Sequence, residues 1–156
     1  MLQPILSSRS VLRVFLVDDA PVVRKGLHSL LATEPSWLVC GEADGEQAAL
    51  AGIVAARPHL AFIDLCLAEG AGISLIKRLH RLCPALKIVV FSDHEEVSIA
   101  ASAFEAGAHG YLLKDEGAEQ ILQAVAAVRD RGYYLSSVLA AKAPWLGSAH
   151  CLEPVV

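Results

Sequence analysis

"VFLVDDAP", residues 14–21, is the stretch whose reading decides the fold. Four apolar residues run directly into two adjacent carboxylates, Asp18 and Asp19, and then into a turn at Pro21. Two like charges at the end of a buried strand are unfavourable unless something neutralises them. Working outward, apolar runs too short for helices recur at regular spacing: "VLRVFLV" (11–17), "WLVCGEA" (37–43), "HLAFIDL" (59–65), "LKIVVFS" (86–92) and "HGYLLK" (109–114). Three of them lack in/out alternation, as expected of strands buried on both faces of a parallel sheet.

Helical patterns lie between these runs. Val23, Leu27, Leu30 and Leu31 mark one face of the first, and Ala48, Ala49, Gly52 and Ile53 mark the second. Ile73, Ile76 and Leu79 mark the third; Val97, Ala100, Ala101 and Phe104 the fourth; Ile121, Leu122, Val125 and Val128 the fifth. Pro21 suits a first helical turn, "RPH" and "CPA" close the second and third helices, and the glycine of "EAGAHG" stops the fourth. The pattern predicts an α/β fold: a doubly wound (βα)5 parallel five-stranded sheet with right-handed crossovers and helices on both faces. Function in such folds gathers at the carboxyl ends of the strands.

The chain bounds agree with a single α/β body. Its 156 residues suit one domain with a sizeable core. Hydrophobic residues at 54% against charged residues at 19% argue against disorder. The formal net charge of -4 speaks weakly against a nucleic-acid surface. Cys40, Cys66, Cys83 and Cys151 form no CxxC pair and read as reduced thiols of a cytoplasmic protein. Residues 1–10, "MLQPILSSRS", read as a flexible segment without the apolar core of a signal peptide. No apolar run approaches the roughly 20 residues of a membrane span. Residues 11–131 form the predicted domain, and 132–156 read as a tail in which 136–143 fit a short helix.

The strand ends carry the chemistry. The first ends in Asp18 and Asp19, the third in Asp64, the fourth in Ser92 and Asp93, the fifth in Lys114. The predicted topology brings them to one sheet edge. Three carboxylates around one point ask for a hard divalent cation, and Mg²⁺ prefers such oxygen ligands. A lysine supplies a point charge for a phosphoryl oxygen, and a hydroxyl can hydrogen-bond another. The set reads as a phosphoryl-transfer site without a nucleotide pocket. Each piece has a blander explanation: helix capping for the aspartate pair and Ser92, a strand-end turn for Asp64, solvation for Lys114. The blander explanations weaken when all four fall at four strand ends of one sheet. His94 and His109 read as surface residues without a chemical role.

The stretches "VFLVDDAPVVRKGL", "PHLAFIDL", "KIVVFSDHEE" and "AGAHGYLLKD" resemble the receiver domain of two-component response regulators, most closely the NarL/FixJ class. The resemblance spans residues 11–131 and keeps the family spacings: 92 − 64 = 28 residues from Asp64 to Ser92, and 114 − 64 = 50 from Asp64 to Lys114. It implies a flavodoxin-like receiver fold of strand order 2-1-3-4-5. Asp64 is then the phosphoacceptor, served by a sensor histidine kinase. Mg²⁺ is held by Asp18, Asp19, Asp64 and the Cys66 backbone carbonyl. Lys114 pairs with the phosphoryl group, Ser92 hydrogen-bonds it, and Tyr111 is the aromatic switch that follows Ser92 inward. Such a protein is not an enzyme in the ordinary sense, although it phosphorylates itself and can have autophosphatase activity. A homodimer is one expected assembly.

The chain departs from the family pattern in three places. The loop after Asp64, "DLCLAEGAG", has Leu67 and Ala68 where Met and Pro are usual, and losing the proline frees that loop. Asp93 stands where a small residue is usual. Full-length members of the class carry a LuxR-type helix-turn-helix, and no such pattern follows Arg131. The expectation is therefore no direct DNA binding by this chain, as a stand-alone receiver or as a fragment of a transcriptional regulator. Other functions remain in play. A degenerate receiver would act as a phosphorylation-independent protein-binding module. A haloacid-dehalogenase-like, Mg²⁺-dependent phosphatase also uses an Asp nucleophile, but wants Asp-x-Asp where this chain has adjacent aspartates followed by Ala20. A dinucleotide-binding or flavodoxin-type module wants glycine in the first βα turn, and "DDAPVV" has none.

Overall fold

The computed structural model describes residues 10–67 and 70–146. The chain alternates β1 (Leu12–Val17), α1 (Pro21–Leu31), β2 (Trp37–Ala43), α2 (Glu46–Ala56), β3 (Leu60–Ile63), α3 (Gly72–Leu82), β4 (Lys87–Ser92), α4 (Val97–Ala106), β5 (Gly110–Leu113), α5 (Ala118–Arg131), β6 (Tyr134–Leu135) and α6 (Ser137–Lys142). The strands form one sheet of order β2-β1-β3-β4-β5-β6 with parallel pairing throughout. This is a doubly wound, flavodoxin-like parallel α/β fold.

The missing alternation in the strand sequences has a direct cause. Val14 and Leu16 of β1, Phe62 of β3, Val89 and Phe91 of β4 and Leu112 of β5 pack with Leu27 and Leu31 of α1 and Ile121, Val125 and Val128 of α5. The residues between them, Phe15, Val17, Ile63, Ile88, Val90 and Tyr111, face a second core built with Ile53 of α2, Ile76 of α3 and Ala100 of α4. Both faces are dry, so both registers of each strand are apolar. On α2, Ala49 and Ile53 are buried, but Ala48, expected on the same face, is exposed. Gly52 makes room for a ring: a Cβ there would stand 2.6 Å from Phe15 Cζ.

The largest difference from expectation follows α5. Five strands were expected, and the sheet has six. Tyr134 and Leu135 add a short parallel edge beside β5, with the Tyr134 N–H donating to the His109 carbonyl at 3.1 Å and the Ser136 N–H to the Tyr111 carbonyl at 3.0 Å. Two residues offer too little apolar pattern to read as a strand, because backbone pairing rather than periodicity makes it. After it, α6 drops Leu139 into the Tyr111 core, where Leu139 is fully buried.

Candidate functional site

The sheet seats the site residues one step past its strands. The Asp18 N–H donates to the Ala43 carbonyl at 3.1 Å, the Asp64 N–H to the Val17 carbonyl at 3.0 Å, and the Lys114 N–H to the Ser92 carbonyl at 2.8 Å. Ladder bonds therefore hold the backbones of Asp18, Asp64 and Lys114, while Ser92 is the last residue of β4. Gly72 sharpens the placement. A Cβ there would come within 2.8 Å of the Asp64 carbonyl oxygen and closer still to Leu65 Cα, so only glycine lets α3 start against this turn. The loop position Ala68 lies outside the described residues.

Asp18 and Asp64 are each only 2% exposed. Asp18 Oδ1 accepts the Ala20 N–H at 2.9 Å, and Asp64 Oδ1 accepts the Cys66 N–H at 3.0 Å. The helix cap that could have explained the aspartate pair is absent: Ala20 caps α1, without a side-chain hydrogen bond. Lys114 Nζ lies 2.8 Å from Asp18 Oδ2 and 3.4 Å from Asp64 Oδ2. The Asp18 contact is an ion pair off the line of a well-formed hydrogen bond, so Oδ2 stays a buried oxygen without an aligned donor. Asp19 is exposed, yet it brings a carboxylate oxygen within 4.8 Å of oxygens of Asp18 and Asp64.

The electrostatics follow from this crowding. Burial pushes the Asp64 carboxyl above its usual range. The Cys66 N–H opposes that shift, the Asp18 charge adds to it, and Lys114 opposes it. Burial alone would lower the Lys114 ammonium, but Asp18 and Asp64 outweigh it and raise the pKa, so the lysine stays charged. The Cys66 thiol is raised, by desolvation first and then by the Asp64 charge.

Ser92 and Tyr111 are fully buried and meet at one residue. Ser92 Oγ accepts the His94 N–H at 3.0 Å, and the Tyr111 hydroxyl donates to the His94 carbonyl at 3.0 Å. The aromatic ring expected to move inward is thus already inside. Ser92 does not cap α4, whose N-cap is Glu96. His94 keeps a 40% exposed side chain, while its two main-chain groups tie β4 and β5 together. His109 is half-buried and departs from its expected surface role, accepting the Ile88 N–H on Nδ1 at 3.0 Å. Two further residues escaped the sequence reading. Arg24 donates from Nη1 to the Asp18 carbonyl at 2.6 Å and pairs with Glu42 at 2.9 Å. Glu116 accepts the Leu113 N–H at 3.0 Å and the Ser136 hydroxyl at 3.1 Å, joining the Lys114 turn to α6. Each acts on main chain or on a distant loop, which no local motif reports.

Residues 14–126 match the family model of the response regulator receiver domain. The chain belongs to that family. This receiver is 38% identical over 115 residues to the DNA-binding transcriptional activator DevR/DosR of Mycobacterium tuberculosis, covering 74% of this chain and 53% of that protein. It is 30% identical over 132 residues to the transcriptional regulatory protein LnrK of Bacillus subtilis, covering 85% of this chain and 60% of that one. The receiver thus spans about half to three-fifths of the length of these curated relatives. Among solved structures, it matches a LuxR-family two-component response regulator from Aurantimonas sp. SI85-9A1 with a TM-score of 0.77 and 30% identity, covering 92% of this chain and 98% of that one. The isolated REC domain of RcsB from Salmonella enterica serovar Typhimurium shares the fold, with a TM-score of 0.78 at 24% identity over 85% of this chain and 98% of that one. The family matches leave no support for the phosphatase or dinucleotide-binding alternatives. No helix among the described residues is long and apolar enough to cross a membrane.

Proposed function

We propose that the receiver is a phosphorylation-driven switch in which Asp64 accepts a phosphoryl group from the phosphohistidine of a sensor histidine kinase. The observation that carries the reading is the meeting of the Asp18, Asp19 and Asp64 carboxylates, two of which, Asp18 and Asp64, pair with the Lys114 ammonium. With all groups ionised, three carboxylates against one ammonium leave a formal charge of −3 + 1 = −2. A dication balances that charge, and the buried Asp18 Oδ2 without an aligned donor is an oxygen such an ion can use. The donor set is all oxygen, which suits Mg²⁺. Asp18, Asp19, Asp64 and the Cys66 backbone carbonyl would hold the ion, which supplies charge neutralisation on the transferring phosphoryl oxygens.

The remaining chemistry belongs to the chain. Asp64 Oδ1 is occupied by the Cys66 N–H, so Oδ2 is the attacking oxygen. It forms a P–O bond as the P–N bond of the donor breaks, and the leaving imidazole takes a proton from solvent. Lys114 pairs with a phosphoryl oxygen. Ser92 turns its hydroxyl hydrogen to another and draws on the His94 main chain that Ser92 and Tyr111 share. The change spreads to the surface of α4, β5 and α5, where a homodimer or a protein partner reads it. Autophosphatase activity resets the switch in the cytoplasm, and the 156-residue chain itself does not bind DNA.

Intact-mass measurement after incubation with acetyl phosphate and Mg²⁺ tests the reading. One added phosphoryl group is expected, and none without Mg²⁺. An unchanged mass favours a second reading, a phosphorylation-independent protein-binding module. Asp93 supports that alternative: it sets an exposed carboxylate directly beside Ser92.

A further inference from the structure

The segment after α5 is attached to both loops that leave the site. At its start the Ser136 hydroxyl donates to Glu116 Oε2 at 3.1 Å, while Glu116 Oε1 accepts the Leu113 N–H at 3.0 Å, one residue before Lys114. At its end Lys142 Nζ donates to the Glu95 carbonyl at 3.2 Å and to Glu95 Oε1 at 3.3 Å, three residues past Ser92. The two attachments differ in strength. Ser136 is fully buried, whereas the side chains of Lys142 and Glu95 are 46% and 51% exposed. Both lysine contacts are long, since charge-assisted N–H···O bonds run at about 2.7–2.9 Å. At six residues, α6 is well short of the roughly 12–15 that hold an isolated helix in water, so its last turn depends on what it docks against.

We propose that the Lys142–Glu95 contact is a latch on the switch: it holds the β4–α4 loop in its unphosphorylated position, and phosphorylation of Asp64 releases the end of α6 from that loop. Resting on the phosphotransfer reading, the latch regulates the same site. An unbroken line of contacts carries the coupling. Ser92 Oγ accepts the His94 N–H, the Tyr111 hydroxyl donates to the His94 carbonyl, and Glu95 follows His94 in the chain. When the Ser92 hydroxyl turns to a phosphoryl oxygen, the His94 peptide moves with it, and Glu95 moves with the peptide. A shift of about half an ångström takes contacts of 3.2 and 3.3 Å beyond hydrogen-bond range. Strand β6 keeps its pairing with β5, and Ser136 keeps Glu116, so only the far end of α6 lets go. The exposure of the pair suits this role. An exposed ion pair biases an equilibrium by only about 1.5- to 5-fold, enough to oppose the switch and too little to lock it.

Coupling between two sites is reciprocal, so the latch is read from both ends. Without any phosphoryl donor, Lys142→Ala should speed hydrogen exchange of the α6 amides by about 1.5- to 5-fold, even though alanine is the better helix former. With Mg²⁺ and beryllofluoride as the phosphate mimic, exchange in the wild-type α6 should rise, and Lys142→Ala should bind the mimic more tightly than the wild type by that same factor. Lys142→Arg, which keeps the charge and the donors, should behave as the wild type in both measurements. Val138→Ala, at an exposed position of α6, should move neither. Unchanged α6 exchange in Lys142→Ala would overturn the proposal. So would equal affinity for the mimic, or weaker binding by the variant, which would make the contact a support of the phosphorylated state. A wild-type chain that neither gains phosphoryl mass from acetyl phosphate nor binds the mimic would sink the phosphotransfer reading and, with it, the latch as its regulator. Exchange of α6 in the unphosphorylated variant tells the two failures apart.

Discussion

The acidic pocket and the strand–helix segment after α5 both touch the β4–α4 loop, and they satisfy their polar groups to opposite degrees. In the pocket, Asp18 and Asp64 are buried with one lysine between them, and Asp19 adds a third carboxylate. In the segment, the Ser136 hydroxyl reaches Glu116, Lys142 Nζ reaches the Glu95 carbonyl at 3.2 Å and its carboxylate at 3.3 Å, and Leu139 fills the core. An under-satisfied buried cluster is expensive unless a ligand completes it. In the segment, the polar groups of Ser136 and Lys142 have partners within the chain. The contrast assigns chemistry to the first region and support to the second.

The hardest test of the contrast is Asp64→Asn. It removes the proposed acceptor, whose Oδ2 carries no backbone hydrogen bond and faces Lys114 Nζ at 3.4 Å. The phosphoryl mass gain with acetyl phosphate and Mg²⁺ should vanish entirely. A gain that survives would move the acceptor elsewhere and dissolve the assigned role of the pocket. Next in size is Asp19→Asn. Disturbing even an outer-shell partner costs metal affinity about 10-fold to 100-fold, so a direct ligand should cost at least that. Mg²⁺ titration of the variant should show it, and unchanged affinity would remove Asp19 from the metal.

The pocket was legible because the doubly wound fold turns strand ends into neighbours. Once five apolar runs are strands, Asp18, Asp64, Ser92 and Lys114 share one edge, with no contact information required. His94, Glu116 and Arg24 were not legible, because each works through a main-chain group or a charge brought near only by folding. Strand β6 escaped for a related reason. Its existence depends on ladder bonds to the His109 and Tyr111 carbonyls, and a two-residue strand carries no period. A short helix was expected at 136–143 and α6 runs Ser137–Lys142, but its contact with the Tyr111 core was not legible.

The supporting segment can be tested directly. Leu139→Ala should destabilise the fold by about 2–4 kcal/mol in urea denaturation, as a fully buried leucine losing its packing does. Val138→Ala, at a 41% exposed neighbour, should stay within about 0.5 kcal/mol. Equal, small effects would show that α6 is only loosely attached. Tyr111→Phe is subtler. It removes one hydrogen bond to the His94 carbonyl, worth about 1 kcal/mol of stability. Its informative readout is spectral: a phosphate mimic should perturb amide signals across residues 92–115 in the wild-type chain and more narrowly in the variant. Perturbation confined to the Asp64 loop in the wild type would mean that pocket and segment are not coupled.

The smallest expected effect is on DNA. Helix-turn-helix readers need a recognition helix whose polar and basic side chains reach base edges and phosphates. Between Gly132 and Leu146 the described chain spends itself on the sheet: β6 pairs with β5, Leu139, Ala143 and Leu146 enter the core, and the one basic residue, Lys142, is engaged by Glu95. Pro144 and Gly147 interrupt a longer helix in the sequence. A formal charge of -4 supplies no general attraction to phosphates. Mobility-shift assays at low salt, with and without a phosphate mimic, should therefore show no retarded complex for the 156-residue chain. Salt-sensitive, sequence-selective retardation would mean that the segment after α5 reads DNA. Its satisfied contacts with Glu95 and Glu116 would then have to open on binding, and the contrast between the two regions would fail.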